Sequence, residues 1–143
     1  MKKVLVTGGC GFIGKALTKK LLENGCEVDI VDNLYIGKEA QIIEGANFLG
    51  GDIRAMENIK DESYIYIFHL AALSRIQPSF NKPTSYFETN ALGTMKIAEL
   101  CSLNNIPMIY AGSSSHHNGK FKNPYTFSKD VGEEIIQLFK ENY

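Results

Sequence analysis

Tyr125 and Lys129 stand four residues apart, a spacing that places both on one face of a helix. A free phenol is a poor base near neutrality. An ammonium beside it favours the phenolate and equips it to take a proton from a hydroxyl. Such pairs are common on helix surfaces, so the setting decides the reading. This pair opens a helix that follows an apolar strand and the loop Gly112-Ser113-Ser114-Ser115. A serine there can orient a substrate or share its proton. The reaction this constellation suits is removal of a hydroxyl proton while a hydride leaves the same carbon.

A second constellation lies at the other end of the chain. Gly9, Gly11 and Gly14 form a GxGxxG pattern, overlapped by Gly8, Gly11 and Gly14, between an apolar run and an amphipathic stretch. Glycines there permit a tight turn and close approach of backbone to a pyrophosphate, with the N–H groups of the next helix as donors. Asp32 follows Gly11 by 21 residues, where a carboxylate reaches adenosine ribose hydroxyls. That carboxylate repels a 2′-phosphate and no arginine follows it closely, so NAD is expected rather than NADP. Asp52 ends Gly50-Gly51-Asp52 and has two readings, a contact to an adenine amino group or the N-cap of the next turn.

The elements that must carry these residues alternate along the chain. Strands are expected at Lys3–Thr7, Glu27–Val31, Asn47–Leu49, Tyr64–Leu70 and Pro107–Ala111. Helices are expected over Phe12–Asn24, Thr84–Leu103 and Asn123-Pro124 to the end, with shorter helical pieces at Lys38–Glu44 and Arg54–Lys60 and a loop at Ser74–Lys82. Alternation with right-handed crossovers makes an α/β, doubly wound (Rossmann-type) parallel sheet of about five strands, with helices on both faces, the economical architecture.

The 143 residues suit one domain, 1–143, an NAD-binding unit. A net charge of −1 with scattered basic residues gives no basis for nucleic-acid binding, and no apolar run is long enough for a membrane span. Cys10, Cys26 and Cys101 are far apart and odd in number, as expected of reduced thiols in a cytoplasmic protein. His116, His117 and His69 have no acidic cluster beside them, so no metal is expected. Tyr110 is expected in the core.

In order, Thr7-Gly8-Gly9-Cys10-Gly11-Phe12-Ile13-Gly14, Asp32-Asn33-Leu34, Gly51-Asp52-Ile53, His69-Leu70-Ala71-Ala72, Asn90-Ala91-Leu92-Gly93-Thr94, the serine run and Tyr125…Lys129 make a recognisable series. The chain resembles the extended short-chain dehydrogenase/reductases, specifically the NAD-dependent epimerase/dehydratase family around UDP-glucose 4-epimerase. The resemblance implies that Gly8, Gly11, Gly14 and the Phe12 and Ile13 amides meet the pyrophosphate. It implies that Asp32 and Asn33 hold the ribose, and Asp52 and Ile53 the adenine. Leu70, Ala71 and Ala72 would line the cofactor's path and Asn90 would support the active-site end. Tyr125 would be the catalytic base, Lys129 its partner and a holder of the nicotinamide ribose, and Ser113, or failing it Ser114, the catalytic hydroxyl.

The implied function is that of an NAD-dependent sugar-nucleotide epimerase-type oxidoreductase. It would transiently oxidise a hydroxyl of a UDP-linked sugar and reduce the ketone on its opposite face. Alternatives are a net short-chain reductase or dehydrogenase, and an NAD-binding fragment or split-enzyme half without independent activity. Relatives that dehydrate hexoses carry Thr-Asp-Glu where Ser113-Ser114-Ser115 stands, so dehydration is disfavoured. Two local departures are Ser74, at a position where epimerases place a lysine, and His116-His117-Asn118, in place of Val-Tyr-Gly. The family also implies a chain of roughly twice this length, so a C-terminal substrate domain is expected to be missing here. A homodimer is expected through helices 84–103 and 124–141.

Overall fold

The computed structural model describes residues 2–36, 43–56 and 63–142. Five strands form one parallel sheet: β1 (Lys2–Thr7), β2 (Cys26–Val31), β3 (Asn47–Phe48), β4 (Tyr64–His69) and β5 (Met108–Tyr110), in the order β3-β2-β1-β4-β5. The helices are α1 (Phe12–Glu23), α2 (Ile76–Asn81), α3 (Pro83–Phe87), α4 (Thr94–Leu103) and α5 (Pro124–Asn142).

Period-two burial along the strands explains why helices cover both faces. Val4 and Val6 of β1 join Val28 and Ile30 of β2 in one cluster with Leu21 and Leu22 of α1. Leu5 turns the other way and packs with Val31, Ile67, Ile97 and Cys101 on the α4 side. A buried carboxylate at Asp29 cross-links the sheet away from its carboxyl ends. It takes hydrogen bonds from Tyr64 Oη and Asn47 Nδ2 and pairs with Lys3.

The register is what positions a site. Thr7 pairs with both Val31 and His69, and His69 pairs with Tyr110, so four strands end on one row. The strand order reverses between β1 and β4, where an open α/β sheet leaves a crevice beyond its carboxyl ends.

Two stretches depart from the sequence reading. The expected helix over 84–103 begins at Pro83 and is interrupted by a π-helical segment, Glu88–Gly93. Tertiary contacts set that irregularity: Asn90 turns to the Leu73 backbone, and Gly93 sits on Ile53, where a Cβ would lie 2.6 Å from Cδ1. The expected loop at 74–82 contains α2, whose Pro78 lies in the first turn, where its missing N–H costs nothing. Strand and helix ends otherwise differ by a residue or two. Residues 38–42 and 57–60 of the two short helical pieces lie outside the described residues, and Ile53–Ala55 forms a 3₁₀ turn. Among the described residues no helix is long and apolar enough to cross a membrane.

Candidate functional site

The turn after β1 is closed by its own backbone. Gly8 N donates to Val31 O at 2.8 Å and Gly11 N donates to Gly8 O at 3.0 Å. Gly8 has φ +72°, and a Cβ there would fall 2.7 Å from Ala71 N, so this residue lets β1 and the β4 end approach. Gly14 brings α1 against the turn: a Cβ would stand 2.1 Å from Gly8 O. Gly11 caps α1 with no side-chain hydrogen bond among the described residues, and the first turn holds no acid. Phe12 is 97% and Ile13 64% exposed at that helix start. An uncapped helix N-terminus over a glycine cradle suits a pyrophosphate.

Asp32 does more than its spacing suggests. Its Oδ2 accepts from Cys10 N at 3.0 Å and its Oδ1 from Leu34 N at 2.8 Å, so it braces the glycine turn and the turn after β2 together. Each oxygen keeps a further lone pair for a ribose hydroxyl. Asn33 Nδ2 donates to Asp52 at 3.0 Å.

Asp52 is the N-cap of the 3₁₀ turn, accepting from Arg54 N at 2.9 Å, and Arg54 also binds its carboxylate through Nε and Nη2. The Arg54 guanidinium holds the Asp52 carboxyl well below the usual carboxylate range. Of the two readings of Asp52, the N-cap is thus present, and the side chain also faces the crevice. Arg54 also reaches Glu88, 34 residues away, at 3.2 Å, a contact that local sequence does not mark. Its charge is engaged by Asp52 and Glu88.

At the other end, α5 presents Tyr125 and, one turn on, Lys129. Ser113 Oγ lies 3.4 Å from Tyr125 Oη and 2.8 Å from Ser115 Oγ. The Tyr125 contact is long for a hydroxyl–hydroxyl hydrogen bond. Ser114 is exposed and starts the 3₁₀ turn Ser114–Asn118, so of the two serines Ser113 faces the tyrosine. His116 and His117 lie side by side within that turn, ring centroids 4.1 Å apart and planes tilted by 52°. Among the described residues no group of three or more His, Cys, Asp or Glu side chains comes together as a metal site requires.

Lys129 is 4% exposed, donates to Ala111 O at 2.8 Å and sits 4.0 Å from the centre of the Tyr110 ring. Burial pushes its ammonium down to about 8, with Glu133 acting the other way. Tyr110, expected in the core, is half-buried and forms this lysine's wall; burial raises its phenol. The desolvated ammonium is a cost to the fold. Lys129→Met is therefore expected to stabilise the chain at pH 7 by up to about 3 kcal/mol in urea unfolding, while weakening the site.

A polar layer backs the crevice. Ala71 N donates to Thr7 Oγ1 at 3.3 Å, and the Thr7 hydroxyl meets His69 Nδ1 at 2.7 Å. His69 Nε2 faces Thr94 Oγ1 at 3.0 Å. Both ring nitrogens are thus engaged by threonine hydroxyls. Burial first, and the nearby Lys129 charge second, hold the ring's titration down at about 3. Asn90, fully buried, accepts from Leu73 N at 2.8 Å and donates to Leu73 O and Ser128 Oγ. It shapes the β4 loop from behind.

One cavity of about 490 Å³ gathers the expected residues. Gly8, Gly11, Phe12, Ile13 and Gly14 line one wall, with Asp32, Asn33, Asp52 and Ile53 at one end. Leu70, Ala71, Ala72, Tyr125 and Lys129 line the same cavity. Asn90 lies behind the wall, and Ser113 reaches the site through Tyr125. Lys82 and Ser74 also line the cavity. Lys82 was not foreseen, because nothing in its neighbouring residues marks it as facing the site.

The profile of the NAD dependent epimerase/dehydratase family matches residues 4–143. A UDP-glucose 4-epimerase of Streptococcus mutans is 32% identical over 98% of this chain and 48% of its own. A solved UDP-glucose 4-epimerase of Thermotoga maritima with UDP-glucose superposes with TM-score 0.86 at 28% identity, over 99% of this chain and 52% of that one. That of Thermus thermophilus in complex with NAD gives 0.82 at 27% identity, over 99% and 51%. The chain spans about half the length of these three relatives. By this match and by the ordered site it folds around, the chain belongs to the NAD dependent epimerase/dehydratase family.

Proposed function

We propose that residues 1–143 hold NAD in this crevice and serve a sugar-nucleotide epimerase-type oxidoreductase acting on a UDP-linked sugar. The observation that carries the reading is the single cavity running from Asp32 across the glycine turn to Tyr125 and Lys129. The residues present fit the cofactor. The α1 N-terminus and glycine cradle take the pyrophosphate, Asp32 and Asn33 the adenosine ribose, and Asp52 with Ile53 the adenine end. Lys129 takes the nicotinamide ribose. When bound, NAD supplies the hydride acceptor for transient oxidation of a sugar hydroxyl.

The chain's own residues handle the proton. Tyr125 Oη accepts it from the sugar hydroxyl and later returns it. Lys129, one turn away on α5 and donating to the Ala111 carbonyl, holds a positive charge at this end of the cavity. Ser113 Oγ, already against Tyr125 Oη, orients the hydroxyl. Leu70, Ala71, Ala72 and the exposed Phe12 and Ile13 would exclude water from a bound cofactor. The relatives named UDP-glucose 4-epimerase, and the one solved with UDP-glucose, support the substrate class.

The test is conversion of UDP-glucose to UDP-galactose in the presence of NAD. Tyr125→Phe is expected to lower turnover by about a hundredfold or more. Turnover that survives this substitution would refute the role of Tyr125. A second reading is favoured by the half-length match: an NAD-binding fragment or split-enzyme half, which binds NAD and turns over nothing by itself. We further propose a homodimer through residues 84–103 and 124–141, where Leu92 of the π-helical segment, Met95 of α4 and Leu138 of α5 are exposed. Light scattering is expected to give twice the 15.9 kDa chain mass, and a monomer mass would overturn this. Cys10, Cys26 and Cys101 are free thiols, in keeping with a cytoplasmic setting.

A further inference from the structure

We infer that Glu133 is a positioning residue for the proposed site, fixing the Ser113 backbone and serving as counter-charge to Lys129. The inference rests on Ser113, Tyr125 and Lys129 forming that site. Glu133 is eight residues after Tyr125 and four after Lys129, so the three share one stripe of α5. Its Oε1 accepts from Ser113 N at 3.1 Å. Ser113 is thereby attached to α5 twice, through its N–H to Glu133 and through its hydroxyl facing Tyr125 Oη.

Gly112 lies against this contact: a Cβ there would stand 2.9 Å from Glu133 Oε1, so the start of the serine loop packs directly on this carboxylate. A carboxylate that served packing alone needs no charge; this one stands a turn beyond a buried ammonium.

Among the described residues the groups facing Lys129 are few. Tyr125 and Glu133 share its helix, the Tyr110 ring and Ala111 carbonyl come from the β5 end, and His69 from β4 is neutral. Glu133 is therefore the negative charge among them. It opposes the desolvation that drives the lysine toward its neutral form.

The test uses the chain itself, labelled with ¹³C-lysine, with the Lys129 signal assigned by its loss in Lys129→Met. In the unsubstituted chain this signal is expected to titrate near pH 8. Glu133→Gln keeps an acceptor and removes the charge. The midpoint is expected to fall by about half a unit or more, with the Ser113 amide as protected from hydrogen exchange as before. Glu133→Ala is expected to lower the midpoint similarly and to speed Ser113 exchange about tenfold or more. A midpoint unmoved in Glu133→Gln, or an equally protected Ser113 amide in Glu133→Ala, overturns the inference. Both readouts need no cofactor, so a chain that binds no NAD would end the proposed function and leave this inference to be judged on its own.

Discussion

Gly14→Ala is expected to destabilise the chain by about 3 kcal/mol or more and to abolish NAD binding. The added methyl would stand 2.1 Å from Gly8 O and 2.7 Å from Gly9 Cα, both backbone atoms of the turn. No rotamer relieves this clash. Either α1 moves away from β1 or the turn opens, and each loses the helix N-terminus that faces the cavity. Gly25→Ala is the matched control. Gly25 has φ +75° but open space around it, so only backbone strain applies, about 1 kcal/mol. Urea unfolding of the two variants separates a packing requirement at Gly14 from glycine's general flexibility. Equal small losses would show that the turn tolerates a side chain.

The stability of the chain is expected to depend on pH through His69. Unfolded, its imidazole takes a proton near pH 6.5; in the fold it does so only at about 3. Between those values the unfolded chain binds more protons. Stability is therefore complete above pH 6.5 and falls as pH drops through the window, by a slope approaching about 1.4 kcal/mol per unit. The structural reason is burial of the ring between β1 and α4, reinforced by the nearby Lys129 charge. His69→Gln is expected to be less stable at pH 7 and to show a flatter dependence between pH 6.5 and 5. Identical slopes in the two proteins would mean that His69 protonates freely in the fold.

Sequence reading recovered what depends on local pattern. The glycine spacing, Asp32 at a strand end and the Tyr125–Lys129 pair all follow from short-range periodicity and turn chemistry, and the cavity brings them together. The π-helical segment was not legible, because it is set by Asn90 reaching the Leu73 backbone and Gly93 lying on Ile53, contacts between distant parts of the chain. Helix α2 was read as a loop because Pro78 signals a break unless it falls in a first turn. His69 stood within a recognised motif, yet its role needed the strand register that places it beside Thr7. Arg54 and Glu133 illustrate the same limit. Arg54 reaches Glu88 across 34 residues and Glu133 reaches Ser113 across 20, although Arg54 also binds Asp52 two residues away.

The central claim is that this crevice holds NAD, and calorimetric titration of the chain with NAD tests it most directly. One site per chain is expected, with a dissociation constant below about 100 μM and weaker binding of NADP. Asp32→Ala is expected to weaken NAD at least about tenfold, since it removes the proposed ribose acceptor and the brace on the glycine turn together. A folded chain that gives no binding heat up to about 1 mM NAD, and gains no thermal stability from it, would contradict the account.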